Sequence, residues 1–483
     1  MHSFQIDIER FVPRLKEFEW SEPLSFTIKP QENWAFIGPN GAGKTLITDI
    51  IQGKILPRLG EVRITATESL PTYQLIRSIS FRDIYSLADC REMYYQQRWN
   101  SFDAETTPIA RTLLKGFSDE AIGKYAQLFD ISELLDKHLV ALSSGELRKF
   151  LITKVLMTEP RLLILDNPFI GLDAPSRTTL NTMLKQTMEL TNMQILFVVS
   201  HPKDLPDWID NVLPIKERRC YPAQKVGDFK NDKALIRTLF SEIAEELADL
   251  PKQEEKEADY TTAILMDKIH IRYGTHTILK DEDWEVKSGE KWALLGGNGS
   301  GKSTLLSLVC GDNPQAYSNN LTLFDRKRGS GESIWDIKKR IGYLSPDIHT
   351  YYMQDTPCFN VAASGFFDSI GLYQKCNEVQ KEETEKWMKI FHASHLANRS
   401  FVKISYGEQR LILLVRAFVK NPELLILDEP LHGLDAGKKH LAKQIIESYC
   451  SQKGKTLIYV THYEEEIPSI VNRRKILTKY KNK

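Results

Sequence analysis

Cysteine pairs, net charge and long apolar runs are all missing from this sequence, and each absence closes off a class of protein. The six cysteines (Cys90, Cys220, Cys310, Cys358, Cys376, Cys450) form no CxxC pair, which argues for buried or idle thiols over a metal cluster or a disulfide framework. Lysine plus arginine and aspartate plus glutamate both number 64, so no overall field draws the chain to nucleic acid or to an anionic membrane. No uncharged apolar run approaches the roughly 18 residues that cross a bilayer. The opening MHSFQIDIER has no basic stretch followed by an apolar one, so no secretory signal is expected. The expectation is a cytoplasmic protein, peripheral at the cytoplasmic face of a membrane if it serves a pore on another polypeptide.

What is present is one domain written twice. The 483 residues exceed a single core, and two to four domains are expected. GPNGAGKT at 38–45 and GGNGSGKS at 296–303 each follow an apolar run (NWAFI; KWALL) and precede a helical pattern (TLITDIIQG; STLLSLVCG). That context is the one a phosphate-binding loop needs. Glycines let consecutive N–H groups curl around phosphate oxygens, and the following helix adds its positive end. The expected nucleotide-binding set is Gly38, Asn40, Gly41, Gly43, Lys44 and Thr45 in the first copy. Gly296, Asn298, Gly299, Gly301, Lys302 and Ser303 form the second. Lys44 and Lys302 would reach the β and γ phosphates, and Thr45 and Ser303 would ligate Mg²⁺.

Other landmarks repeat at matched spacing. LLILDNP at 162–168 returns as LLILDEP at 424–430, with Asn167 against Glu429. From Ser143 to Asp166 is 23 residues, as from Ser405 to Asp428; a histidine follows 35 residues after Asp166 (His201) and 34 after Asp428 (His462). Copies about 260 residues apart are a tandem domain duplication and not a short solenoid repeat. Domains are expected at 1–240 and 261–483, joined by a linker over 241–260. Within it, SEIAEELADLPKQEEKEAD carries eight acidic residues against two lysines. It reads as a solvated hinge, or as a short helix striped by Ile243, Leu247 and Leu250.

In each half the order is Gly-rich loop, LSSGE or ISYGE, LLILD-x-P, GLD, then an apolar strand ending in histidine. This order resembles the ATP-binding-cassette (ABC) ATPases over nearly all of both halves. The resemblance implies an α/β fold of two tandem P-loop NTPase domains, each with a helical insertion, here near 85–140 and 350–402. It also implies ATP and Mg²⁺ as ligands, with ATP sandwiched head to tail between cassettes within one monomer. Site one would then join Lys44, Thr45, Asp166, Asn167 and His201 to Ser405 and Gly407. Site two would join Lys302, Ser303, Asp428, Glu429 and His462 to Ser143 and Gly145. Asp166 and Asp428 would hold Mg²⁺ through water. Glu429 can accept a proton from water, whereas Asn167 cannot, so the sites are expected to be asymmetric unless the amide orients water well enough for slow turnover. His201 and His462 match the family's switch histidine, against a purely structural reading. Tyr273, 23 residues before Gly296, matches the aromatic that stacks on adenine; in the first half Phe11 is that aromatic or a core phenylalanine.

Departures narrow the resemblance. The usual glutamine is absent from ISFRDIYS (79–86) and IGYLSPDIHT (341–350), and Ser144 and Tyr406 replace the first glycine of LSGGQ. YYQQRWN (94–100), LTLFDRKRGSGESIWDIKKRIGYLS (321–345) and SGFFDSIGLYQ (364–374) resemble the tandem molybdenum-transport ModF, or photorepair PhrA, family. That implies an ATPase partnered by a separate membrane permease. The insertions' aromatics (Tyr94, Tyr95, Trp99; Phe366, Phe367, Tyr373) would dock that permease or form the insertion's own core. The alternative is a soluble switch on a ribosome or nucleic acid. Its support is the tail NRRKILTKYKNK (472–483), with six basic residues and no acid, read as a frayed tail or a phosphate-binding patch.

Overall fold

In the computed structural model the described residues are 4–80, 108–139, 142, 144–169, 172, 174–191, 193–240, 259–274, 276–346, 348–352 and 355–480. They fall into two compact units that meet in the chain near residue 243. Most of the acidic linker, Ser143, and the aromatics Tyr94, Tyr95 and Trp99 lie outside the described residues.

Each unit pairs an antiparallel sheet with a parallel one. In the first, Leu24–Ile28, Phe4–Pro13 and Pro57–Ala66 form the antiparallel sheet. The parallel strands run in the order Ile76–Ser80, Leu162–Asp166, Gln194–Val199, Trp34–Ile37, Asn211–Lys216. In the second, the corresponding order is Ile341–Leu344, Leu424–Asp428, Thr456–Val460, Lys291–Leu295, Arg473–Ile476. The order is the same, so the duplication extends to topology. Strands covered on both faces need continuous apolar runs, which is why LLILD is buried at every position in both copies. Such sheets gather ligands at the carboxyl ends of their strands.

Helices of the insertion pack into the same apolar clusters as the parallel sheets. In the second unit Trp387 of helix Glu378–Ile390 and Phe391, its C-cap residue, pack with tilted or edge-on rings against Phe418 and Tyr449. Phe366 packs against this cluster as core, whereas Tyr373 is 82% exposed. Phe11 is fully buried in the first unit's core. No helix among the described residues is long and apolar enough to cross a membrane.

Within the basic segment 472–483, residues 473–477 are ordered into the fold and not frayed. Arg473–Ile476 pairs in parallel with Trp292–Leu295, and Leu477 is buried. Three of its cations meet carboxylates: Arg473 with the distant Glu290 at 2.9 Å, Lys475 with the distant Glu282 at 2.9 Å, and Arg474 with the nearby Glu464 at 3.0 Å.

Candidate functional site

Each Gly-rich loop leaves the end of a parallel strand, fully buried in the first copy and partly in the second, and turns straight into a helix. Gly43 and Gly301 precede helices Lys44–Ile51 and Lys302–Val309 at φ +103° and +92°, a left-handed conformation costing other residues about 1–2 kcal/mol. The unpaired N–H groups of each helix's first turn thus begin at the loop, an arrangement suited to phosphate oxygens. Lys44 Nζ donates to the carbonyls of Gly38 (2.7 Å) and Pro39 (2.8 Å). Lys302 repeats this with Gly296 (2.8 Å) and Gly297 (3.0 Å). Both lysines are buried, so each ammonium is held at its own loop. Gly41, Gly299 and Asn298 lie within the loops, and Asn40 Oδ1 accepts from Ser200 Oγ at 3.0 Å.

Asp166 and Asp428 end their strands, both 4% exposed. Thr45 Oγ1 donates to Asp166 Oδ2 at 3.4 Å, so two hard oxygen donors converge there, and Ser303 and Asp428 hold the matching positions. This donor set fits Mg²⁺. No group of three or more His, Cys, Asp or Glu among the described residues could hold a metal alone. A cation here would take further ligands from water and nucleotide phosphates, as magnesium favours.

The next residue separates the copies. Asn167 and Glu429 share a left-handed backbone, φ +52° and +49°. Each N–H is pinned to a neighbouring strand, at Val198 (2.8 Å) and Val460 (2.9 Å). Asn167 gives its amide to Asp166 Oδ1 at 2.7 Å, and its Oδ1 accepts from Ser200 Oγ at 3.3 Å. Glu429 instead places Oε1 3.0 Å from His462 Nε2, with both side chains nearly buried. Burial alone would raise the Glu429 pKa. The His462 hydrogen bond and the charges of His432, His462 and Arg410 outweigh it and bring the carboxyl down to about 2. His201, at the position matching His462, is exposed and its Nδ1 accepts from the Lys203 N–H at 3.0 Å.

Ser405 caps helix Tyr406–Phe418 in a reciprocal box. Its N–H and Oγ both donate to Glu408 Oε2 at 2.7 Å, and the Glu408 N–H returns to Ser405 Oγ at 3.3 Å. Gly407 lies buried in the first turn. Gly145 lies in the first turn of helix Ser144–Leu156.

Sequence reasoning missed two arginines on these helices. Arg410 is 1% exposed and donates to the carbonyls of Asp428 (2.7 Å), Glu429 (2.6 Å) and Ser345 (2.9 Å). Arg148 donates to Pro168 O at 2.7 Å. Both stand five residues after the signature serine, and that repetition was the available signal.

Tyr273 ends strand Thr262–Tyr273, its ring partly buried and its hydroxyl accepting from Asn313 Nδ2 at 2.9 Å. Phe11 is not its counterpart, because the core encloses it. Trp20, in the connection before Leu24, lies 2.8 Å from where a Cβ on Gly43 would sit. A basic residue flanks each Gly-rich loop as well. Arg218 donates its N–H to Ala42 O at 3.0 Å, and Lys479 Nζ lies 3.9 Å from the Cβ position of Gly299.

Duplicated Gly-rich loops, buried aspartates at strand ends and a serine-capped signature helix in the second copy, on one repeated α/β topology, define a tandem-cassette ATPase. The sequence profile described as ABC transporter matches residues 21–170 and 279–432. The chain belongs to that family, whose ATP-binding domains bind and hydrolyse ATP. It is 34% identical to the ABC transporter ATP-binding protein ModF of Escherichia coli (strain K12), over 95% of this chain and 94% of that protein. An uncharacterized ABC transporter ATP-binding protein of Schizosaccharomyces pombe is 30% identical over 93% of each chain. The crystal structure of the complex of archaeal ribosomal stalk protein aP1 and archaeal ribosome recycling factor aABCE1 contains a chain with a TM-score of 0.54 and 16% identity. The match covers 97% of this chain and 87% of that one, and this likeness is one of fold.

Proposed function

We propose that the two halves, 1–240 and 261–483 about the linker 241–260, clamp two ATP molecules head to tail, and that only the second site turns its nucleotide over. Site one joins Lys44, Thr45, Asp166, Asn167 and His201 to Ser405 and Gly407. Site two joins Lys302, Ser303, Asp428, Glu429 and His462 to Ser143 and Gly145. The observation that carries the asymmetry is the contrast between the two turns. Asn167 spends its amide on Asp166, while Glu429 keeps an ionised carboxylate beside an imidazole.

A positioned base is worth about 10²–10⁴ in rate, and an amide cannot take that role. A carboxyl near pKa 2 is ionised but weakly basic. Transfer of the His462 hydrogen bond from Glu429 to the γ-phosphate raises the proton affinity of the carboxylate as it orients the attacking water. Mg²⁺, held by Thr45 and Asp166 or by Ser303 and Asp428, would neutralise charge on the β and γ phosphates. Tyr273 and Trp20 are the aromatic platforms for the two adenines.

The work done with this ATP goes to a membrane permease on another chain, in keeping with the similarity to ModF; molybdate as its cargo rests on that resemblance. The alternative, a switch on a ribosome or nucleic acid, draws on the basic tail, but Arg473, Arg474 and Lys475 are already paired with carboxylates. Retention of partners on the Glu429→Gln protein with ATP tests the choice. Co-purification of a permease supports the first reading, and ribosomes or nucleic acid retained in its place overturn it.

A further inference from the structure

The copies differ near Glu429 at more than one residue. After the signature serine, Ser144 stands against Tyr406, and before the GLD run Ile170 stands against His432. In the second unit these two changes meet. The Tyr406 hydroxyl lies 3.4 Å from His432 Nδ1, with the rings 82° apart in plane and 6.1 Å between centroids. The tyrosine ring also lies against Gly433, where a Cβ would come within 2.2 Å of a ring carbon. Glycine at that position is what admits the ring.

Contacts then run back to the carboxylate. The His432 N–H donates to Glu429 O at 3.1 Å and closes the turn. Arg410, from the same helix as Tyr406, donates to Glu429 O at 2.6 Å. One helix therefore grips the 429–433 turn at both ends, through Arg410 at its start and Tyr406 at its finish.

We propose that Tyr406 and His432 are positioning residues for Glu429, holding its turn in the arrangement from which the carboxylate meets the attacking water. This rests on the second site being the hydrolysing one. The pair occurs in the copy that keeps the carboxylate and is replaced by serine and isoleucine in the copy that lost it. Because Tyr406 opens the signature helix, a ligand seated against Ser405 is felt at Glu429 through the same contact.

Steady-state ATPase kinetics on Tyr406→Phe, His432→Ile, the double variant and His432→Asn test the pair, with unfolding midpoints on the same samples. Tyr406→Phe keeps the ring over Gly433 and removes only the hydroxyl. Each of the first two is expected to lower kcat about fivefold with KM within about twofold, the effect of one neutral hydrogen bond. The double variant should fall no lower than His432→Ile alone, since Tyr406→Phe removes only a contact that His432→Ile has already broken. His432→Asn, whose Oδ1 can accept from the hydroxyl, should recover most of the rate at an unchanged midpoint. Wild-type kcat in a folded Tyr406→Phe protein overturns the proposal, as do losses that multiply. Should Tyr406→Phe fail to fold, the comparison of His432→Ile with His432→Asn decides in its place. Glu429→Gln separates the two levels. Full turnover in that variant sinks the hydrolysing-site reading itself, whereas a dead Glu429→Gln beside an unaffected Tyr406→Phe sinks only the pair.

Discussion

Asn167 after Asp166 and Glu429 after Asp428 share a backbone conformation and differ in what they offer a water molecule. Both are non-glycine residues in the left-handed region, each with its N–H pinned to a neighbouring strand. Asparagine tolerates that conformation better than glutamate. The second copy accepts the less comfortable residue where its carboxylate meets His462, as strained backbone at a functional site leads one to expect. Backbone geometry is thus the duplicated feature, and chemistry is the part that diverged.

The largest break in this comparison is Glu429→Gln, expected to lower steady-state phosphate release by about 10²–10⁴. The first site should contribute little of the remainder. Next is Arg410→Ala, which leaves several buried carbonyls of the Glu429 turn without their donor. It should cost about 3 kcal/mol of stability on chemical denaturation, and Arg410→Lys should not restore it, lacking the planar fork.

Acid sharpens the contrast. The folded pKa of Glu429 is lowered to about 2 from an ordinary 4.5. Its contribution to stability is therefore full above the unfolded value and is lost as pH falls from there through the folded one. Unfolding midpoints followed from pH 5 to about pH 2 should fall more steeply for the wild type than for Glu429→Gln. Parallel curves would show that the His462 pairing does not hold in solution.

Asn167→Glu should raise total turnover, by up to about twofold if the second carboxylate works as well as the first, with a loss of about 1 kcal/mol from the left-handed backbone. The smallest effect belongs to Lys479→Ala. Loss of one exposed charge beside the Gly-rich loop should weaken ATP binding by a few-fold at low salt, vanishing at high salt.

Most of the fold was legible because it is written in local patterns. Gly-rich loops, five-residue apolar strands and capped helices each announce themselves within a dozen residues, and the duplication let one copy vouch for the other. What was hidden depends on partners distant in sequence. Arg473–Ile476 reads as a solvated basic tail until Glu290 and Glu282 are brought beside it. Phe11, 27 residues before Gly38 where Tyr273 is 23 before Gly296, matched only with a four-residue insertion, and the connection after Pro13 brings Trp20 to Gly43 instead. His201 and His462 look equivalent along the chain, yet His462 lies 3.0 Å from the Glu429 carboxylate, while His201 Nδ1 accepts from the Lys203 N–H and the residue after Asp166 is an amide. The chain positions of both candidate sites were readable from motifs. How differently their side chains are engaged was not.

The central claim is that one nucleotide is kept and the other consumed. A rapid-quench single-turnover experiment on protein loaded with labelled ATP and stripped of excess tests it directly. Half of the bound ATP should be hydrolysed quickly and half persist in the wild type, and all of it should persist in Glu429→Gln. Complete hydrolysis in one phase by the wild type, or rapid loss of half the label in Glu429→Gln, would contradict the account.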